Sequence, residues 1–165
     1  MIGINLYEAP PFLLEKMNTL CSLLRQEKKE FERVATTTTN KDLRITMLTL
    51  AQESNQYACE LSSQIHTLGG TPDREKNNEP EPRDENRSLN DENEIQIFCK
   101  MNEKKMIGAY QEILNESFLY EGLRKMIQYQ LNEMLCSFMH VKELNALKFH
   151  SERVSSYSLH SLSKT

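Results

Sequence analysis

The chain has no tryptophan and only five glycines, five prolines and four cysteines among 165 residues. Glycine and proline are nearly missing from Phe12 to Leu68 and from Leu89 to His150. A strand-rich fold needs turn residues every 8 to 12 positions or so, and these stretches exclude it. No run approaches the ~18 consecutive apolar residues of a membrane-spanning helix. Met1 to Pro10 lacks a basic start followed by a long apolar run, so a cytoplasmic protein is expected rather than a secreted one. Cys21, Cys59, Cys99 and Cys136 are widely spaced and form no CxxC. That argues against a zinc knuckle or a disulfide framework and for reduced thiols packed as small apolar groups. A G-x-S-x-G elbow, a Gly-rich phosphate loop and an H-E-x-x-H helix are also missing.

Charge is present but unevenly placed. The net charge is −4, yet Asp73 to Glu94 alone holds nine acids against Arg74, Lys76, Arg83 and Arg87, a balance of −5. The remainder is close to neutral and has no Lys/Arg stripe with interleaved aromatics, which excludes a nucleic-acid surface.

What fills the long stretches is helical periodicity. Leu13, Met17, Leu20, Leu24, Phe31 and Val34 recur at steps of three, four or seven, one stripe of an amphipathic helix opened by Pro11. Thr36 to Asn40 supplies turn and cap residues. The pattern resumes with Leu43, Met47, Leu50, Ser54, Tyr57, Leu61, Ile65 and Leu68, and stops at Gly69-Gly70-Thr71-Pro72. From Asp73 to Arg87 the only apolar residues are Pro80 and Pro82, the composition of a surface connection. Ser88 and Asp91 resemble a capping box before a third stripe of Ile95, Phe98, Asn102, Met106, Ala109 and Ile113. A fourth stripe comprises Leu123, Ile127, Gln130, Met134, Phe138, Val141 and Leu144. Helices are expected at about 11–36, 41–68, 90–115 and 118–149, with a 1–10 arm, a 69–89 linker and a Ser-rich 151–165 tail that frays. The methionines at stripe positions, among them Met17, Met47, Met101, Met106, Met126, Met134 and Met139, are expected as flexible core filler.

Four apolar stripes of similar length bury one another only side by side, which predicts an all-α, antiparallel four-helix bundle of two helical hairpins. The hairpins match weakly: Leu43-Arg44, Met47, Glu53 and Leu61 recur 80 positions on as Leu123-Arg124, Ile127, Glu133 and Val141. If the hairpins are two-fold copies, the acidic linker crosses the length of the bundle.

Leu43-Arg44, Ala51-Gln52-Glu53, Tyr57, Glu60-Leu61, Ile65 and the Leu68-Gly69-Gly70-Thr71-Pro72 stop resemble the second helix of a bacterial group of ferritin-like four-helix-bundle proteins, the domain of unknown function 2383. Glu103, Ala109-Tyr110, Leu123-Arg124, Gln130 and His140-Val141-Lys142 are similar to its second hairpin. The resemblance spans roughly Leu13 to Leu147 and implies a ferritin-like bundle, from a family without an established activity.

A ferritin-like two-metal centre needs one Glu on each of two helices and a Glu-x-x-His pair on each of the others. Glu53 and Glu133 occupy equivalent positions beside the second and fourth stripes, but Gln56 and Cys136 stand three residues on. Glu27 falls in the gap between Leu24 and Phe31, and Glu103 is one turn from its counterpart Met106. Gathering Glu27, Glu53, Glu103 and Glu133 in a low-dielectric core costs many kcal/mol unless metal or protons neutralise them. Two readings follow. In one, the acids edge the stripes, solvated or paired with Lys28 and Lys105, and no cofactor is held. In the other, they form a degenerate iron or manganese site. His66 is read as a helix-end charge, and Cys136 with His140 as a packed thiol beside a partly exposed imidazole or a two-ligand soft-metal face. The first reading makes the protein a non-enzymatic interaction or stress-associated module that self-associates through apolar surface on its longest helix and near Ile2, Ile4 and Leu6. It calls for no nucleic acid and no membrane. A basic partner for the acidic linker is a further reading.

Overall fold

The computed structural model describes residues 9–73 and 92–161. Among them are four helices and no strand: α1 (Pro11–Thr37), α2 (Lys41–Thr67), α3 (Glu92–Leu114) and α4 (Glu121–Ser161). The expected capping box at Ser88 and Asp91, most of the acidic linker and the apolar Ile2, Ile4 and Leu6 lie outside the described residues.

Each boundary has a local cause. Pro10 and Pro11 open α1, where the missing amide hydrogens cost nothing. Asn40 caps α2: its Oδ1 accepts from the amides of Asp42 and Leu43, both at 3.1 Å. At the other end Gly69 takes φ +81°, which an L side chain resists. Its amide then reaches His66 O at 3.1 Å and that of Gly70 reaches Ile65 O at 2.9 Å, the paired bonds of a Schellman stop. A Cβ on Gly70 would stand 2.9 Å from Leu14 Cδ2, so this glycine also allows the chain to close over α1. Both hairpin turns are tied by an arginine. Arg44 donates to Thr38 O at 2.9 Å, and Arg124 donates to Leu114 O and Glu116 O at 2.7 and 2.9 Å, satisfying carbonyls that the preceding helix leaves open.

The contacts fix the arrangement. Cys21 meets Ala58, Lys16 meets Glu112, Glu60 meets Gln130 and Glu103 meets Lys142, so every neighbouring pair of helices is antiparallel. α1 and α4 each pack on α2 and α3. The diagonal pair α2 and α3 run parallel, with Asn40 reaching Glu92 at 3.4 Å and Cys99 Sγ lying 3.8 Å from Met47 Sδ. The chain therefore leaves α2 at one end of the bundle and enters α3 at the other. Thr71 and Asp73 dock on Asn18 and Arg25 of α1, while Glu92 binds Lys148 near the far end.

The first, second and fourth stripes are buried as expected through Val141, with Leu144 only half-buried. The third holds at Ile95, Asn102, Met106 and Ile113, but Cys99 and Tyr110 face the core in place of the expected Phe98 and Ala109, which are half-buried. The expected tail is also corrected. α4 continues past 149 to Ser161, because no glycine or proline interrupts it and a helix already nucleated adds residues at little cost. At ~1.5 Å per residue it spans about 60 Å against about 40 Å for α1 and α2, so its last turns extend beyond the bundle. Met17, Met47, Met106 and Met134 fill the core, but Met101 and Met139 are exposed.

Candidate functional site

The four suspected carboxylates fall into two neighbourhoods, Glu27 and Glu103 beside Cys99, and Glu53 with Glu133. Glu27 on α1 and Glu103 on α3 are both close enough to Cys99 to raise its thiol, which burial above all pushes up to about 12. Glu27 is only 1% exposed and so is a core residue rather than an edge one, a consequence of its place in the gap between Leu24 and Phe31. Glu103 pairs with Lys142 of α4 at 2.9 Å. The partners expected for these acids are corrected as well: Lys28 pairs with Glu32 at 3.1 Å, one turn along its own helix.

Glu53 and Glu133 lie on the α2–α4 side, in a shallow groove of about 290 Å³ that also carries Thr49, Cys136, Ser137 and His140. Ser137 Oγ donates to Glu53 Oε1 at 2.9 Å. The other oxygen, Oε2, is buried with no hydrogen-bond partner among the described residues. Burial raises the Glu53 carboxyl above its ordinary range; the Ser137 bond partly opposes this and Glu133 adds to it. His140 Nδ1 points to Glu143 at 3.6 Å. Cys136 is exposed rather than packed, as is Cys59, whereas Cys21 and Cys99 are buried. No group of three His, Cys, Asp or Glu side chains converges with metal-holding geometry among the described residues. A larger concavity of about 580 Å³ follows the outer face of α4 along Leu147 and Val154, with His150 its one titratable group.

The polar centre of the bundle is elsewhere, and sequence reasoning did not single it out. Tyr110, fully buried, donates from its hydroxyl to Gln130 Oε1 at 3.1 Å. Gln130 Nε2 donates in turn to Glu60 Oε2 at 2.8 Å, and Gln56 Nε2 to Glu60 Oε1 at 3.0 Å. The chain links α3, α4 and α2 and ends at the surface. Burial drives the Tyr110 hydroxyl far above its ordinary range, so it stays a neutral donor. The available signal was Gln130 itself, a polar residue in the middle of an apolar stripe, which demands a partner across the core. Asn102, 3% exposed, is the other such residue, and its Nδ2 has no partner among the described residues.

This arrangement can do little acid–base chemistry. The amide in the middle of the Tyr110–Gln130–Glu60 chain fixes donor and acceptor directions and does not relay a proton. Among the described residues no helix is long and apolar enough to cross a membrane. Comparison with known proteins finds no family model that matches the chain and no curated protein that matches it.

Proposed function

We propose that this chain is a non-catalytic interaction module built on a ferritin-like bundle of the domain-of-unknown-function-2383 kind, and that it associates with further copies of itself. The observation that carries the reading is the apolar surface turned outward on α3 and α4, set against a core whose buried polar groups bond one another. Those polar groups are committed to one another through Tyr110, Gln130 and Glu60. The matched arginines Arg44 and Arg124 support a two-fold relation between the hairpins, and the opposite placement of the α2 end and α3 start supports the crossover that a ferritin-like path requires. Association is supported by apolar side chains turned outward, Tyr129, Leu147 and Val154 on α4 and Ile97 and Met101 on α3, each more than half exposed.

Light scattering over a concentration series tests association. The expected outcome is a mass rising above the 19.3 kDa of one chain, and a strict monomer at high concentration removes that clause. The competing reading, a degenerate iron or manganese protein using Glu27, Glu53, Glu103 and Glu133, draws on the burial of Glu27 and the raised carboxyl of Glu53. Elemental analysis after expression in metal-supplemented medium, with Glu53→Ala as control, separates the two. Neither protein is expected to carry stoichiometric metal; metal in the parent that is lost in the variant would establish the competing reading.

A further inference from the structure

Two of the four cysteines lie near one another across the first hairpin. Cys21, 1% exposed on α1, donates from Sγ to the carbonyl oxygen of Ala58 on α2 at 3.3 Å. That carbonyl belongs to the planar peptide joining Ala58 to Cys59, which fixes the Cys59 Cα within about 6 Å of the Cys21 sulfur. Cys59 is exposed, and rotation about its χ1 carries its sulfur across much of that gap. Arg25, one turn beyond Cys21, lies over the same spot and donates to Ser62 Oγ and Asp73 O, both at 3.1 Å. Burial raises the Cys21 thiol, Arg25 and a bond from Ser62 oppose the rise, and Cys59 and Asp73 add to it. The other two cysteines are placed differently. Cys99 is buried against Met47, and Cys136 stands exposed on α4 in the α2–α4 groove.

We propose that Cys59 and Cys21 are a peroxide-responsive thiol pair, with Cys59 the site of oxidation and Cys21 the resolving thiol that closes a disulfide between α1 and α2. The oxidant is a hydroperoxide. The Cys59 thiolate attacks one peroxide oxygen, the O–O bond breaks, and hydroxide leaves with the electron pair, taking up the proton that Cys59 released; Cys59 becomes a sulfenic acid. The Cys21 sulfur then attacks the Cys59 sulfur, the S–S bond forms and the S–O bond breaks, and water leaves with the Cys21 proton. Two thiols lose two electrons and one hydrogen peroxide becomes two waters. Cys136 is assigned no resolving thiol, so the two exposed cysteines give different products. This inference does not depend on the proposed scaffold role.

The test treats the intact protein with hydrogen peroxide, then counts free thiols and maps linkages in unreduced peptides. The expected result is a Cys21–Cys59 linkage within single chains, exceeding any other linkage about tenfold and reversed by dithiothreitol. Cys59→Ser, at an exposed position, should abolish that linkage and leave Cys21 unreacted. Cys21→Ala should let a dimedone-trapped sulfenic acid accumulate at Cys59. The proposal is overturned if Cys21 remains reduced once Cys59 is oxidised, or if crosslinks between chains through Cys59 or Cys136 dominate.

Discussion

Two levels of the same core solve burial in opposite ways. Near the C-terminal end of α1, Phe31 meets Phe98 edge-on at 5.9 Å and Phe138 at 6.0 Å, joining α1, α3 and α4 with no polar atom involved. About 12 Å along α4, Tyr110, Gln130 and Glu60 join α3, α4 and α2 through hydrogen bonds alone. The aromatic level gains from area and ring geometry, which tolerate small shifts. The polar level gains little net energy but is costly to break, since each group is buried on the assumption that its partner is present. One level supplies stability and the other fixes which residue faces which.

The sharpest way to break that contrast is at the aromatic level. Phe31→Ala should cost about 3–5 kcal/mol in chemical denaturation, because the ring is fully buried against two other helices. Tyr129→Ala, at a position 58% exposed on α4, should stay within about 0.5 kcal/mol. Equal losses in the two variants would mean that the outer face of α4 is covered as firmly as the core.

A smaller effect is expected at the polar level. Tyr110→Phe keeps the ring and strands Gln130 Oε1, which should cost about 1–3 kcal/mol. Adding Gln130→Leu should recover part of that loss, since the unpaired amide is then gone. A double variant whose cost equals the sum of the two single ones would show that the chain is not a unit.

The smallest effect concerns pH. The Glu53 carboxyl is raised from 4.5, so the folded state holds a proton that the unfolded state has already released. Stability contributed by this group is therefore fully present below 4.5 and falls as pH rises through the raised value. Glu53→Gln should flatten that decline in denaturation series run at successive pH values. An unchanged slope would place the charged form of Glu53 in the folded protein.

The helices were legible because their causes are local. The spacing of Leu13 to Val34, the Asn40 cap and the Gly69-Gly70 stop each act within a few residues, and the structure meets them almost position by position. The third stripe was misread by one residue at Phe98 and Ala109, since Ile97, Phe98, Cys99 and Met101 offer several apolar lines and only the neighbouring helices select one. The carboxylates were harder still. Periodicity placed Glu27 inward, but it could not say that Lys142, 39 positions from Glu103, would pair with that acid.

Taken alone, the order of residues determined that there would be rods, where they would start and stop, and which line of each would avoid water, because backbone capping and helical repeat are short-range effects. Tertiary structure decided which rods touch, that Glu103 would pair with Lys142, and that Gln130 would find Tyr110 and Glu60. Those outcomes depend on side chains tens of residues apart meeting at a few ångströms, a distance that chain spacing does not encode.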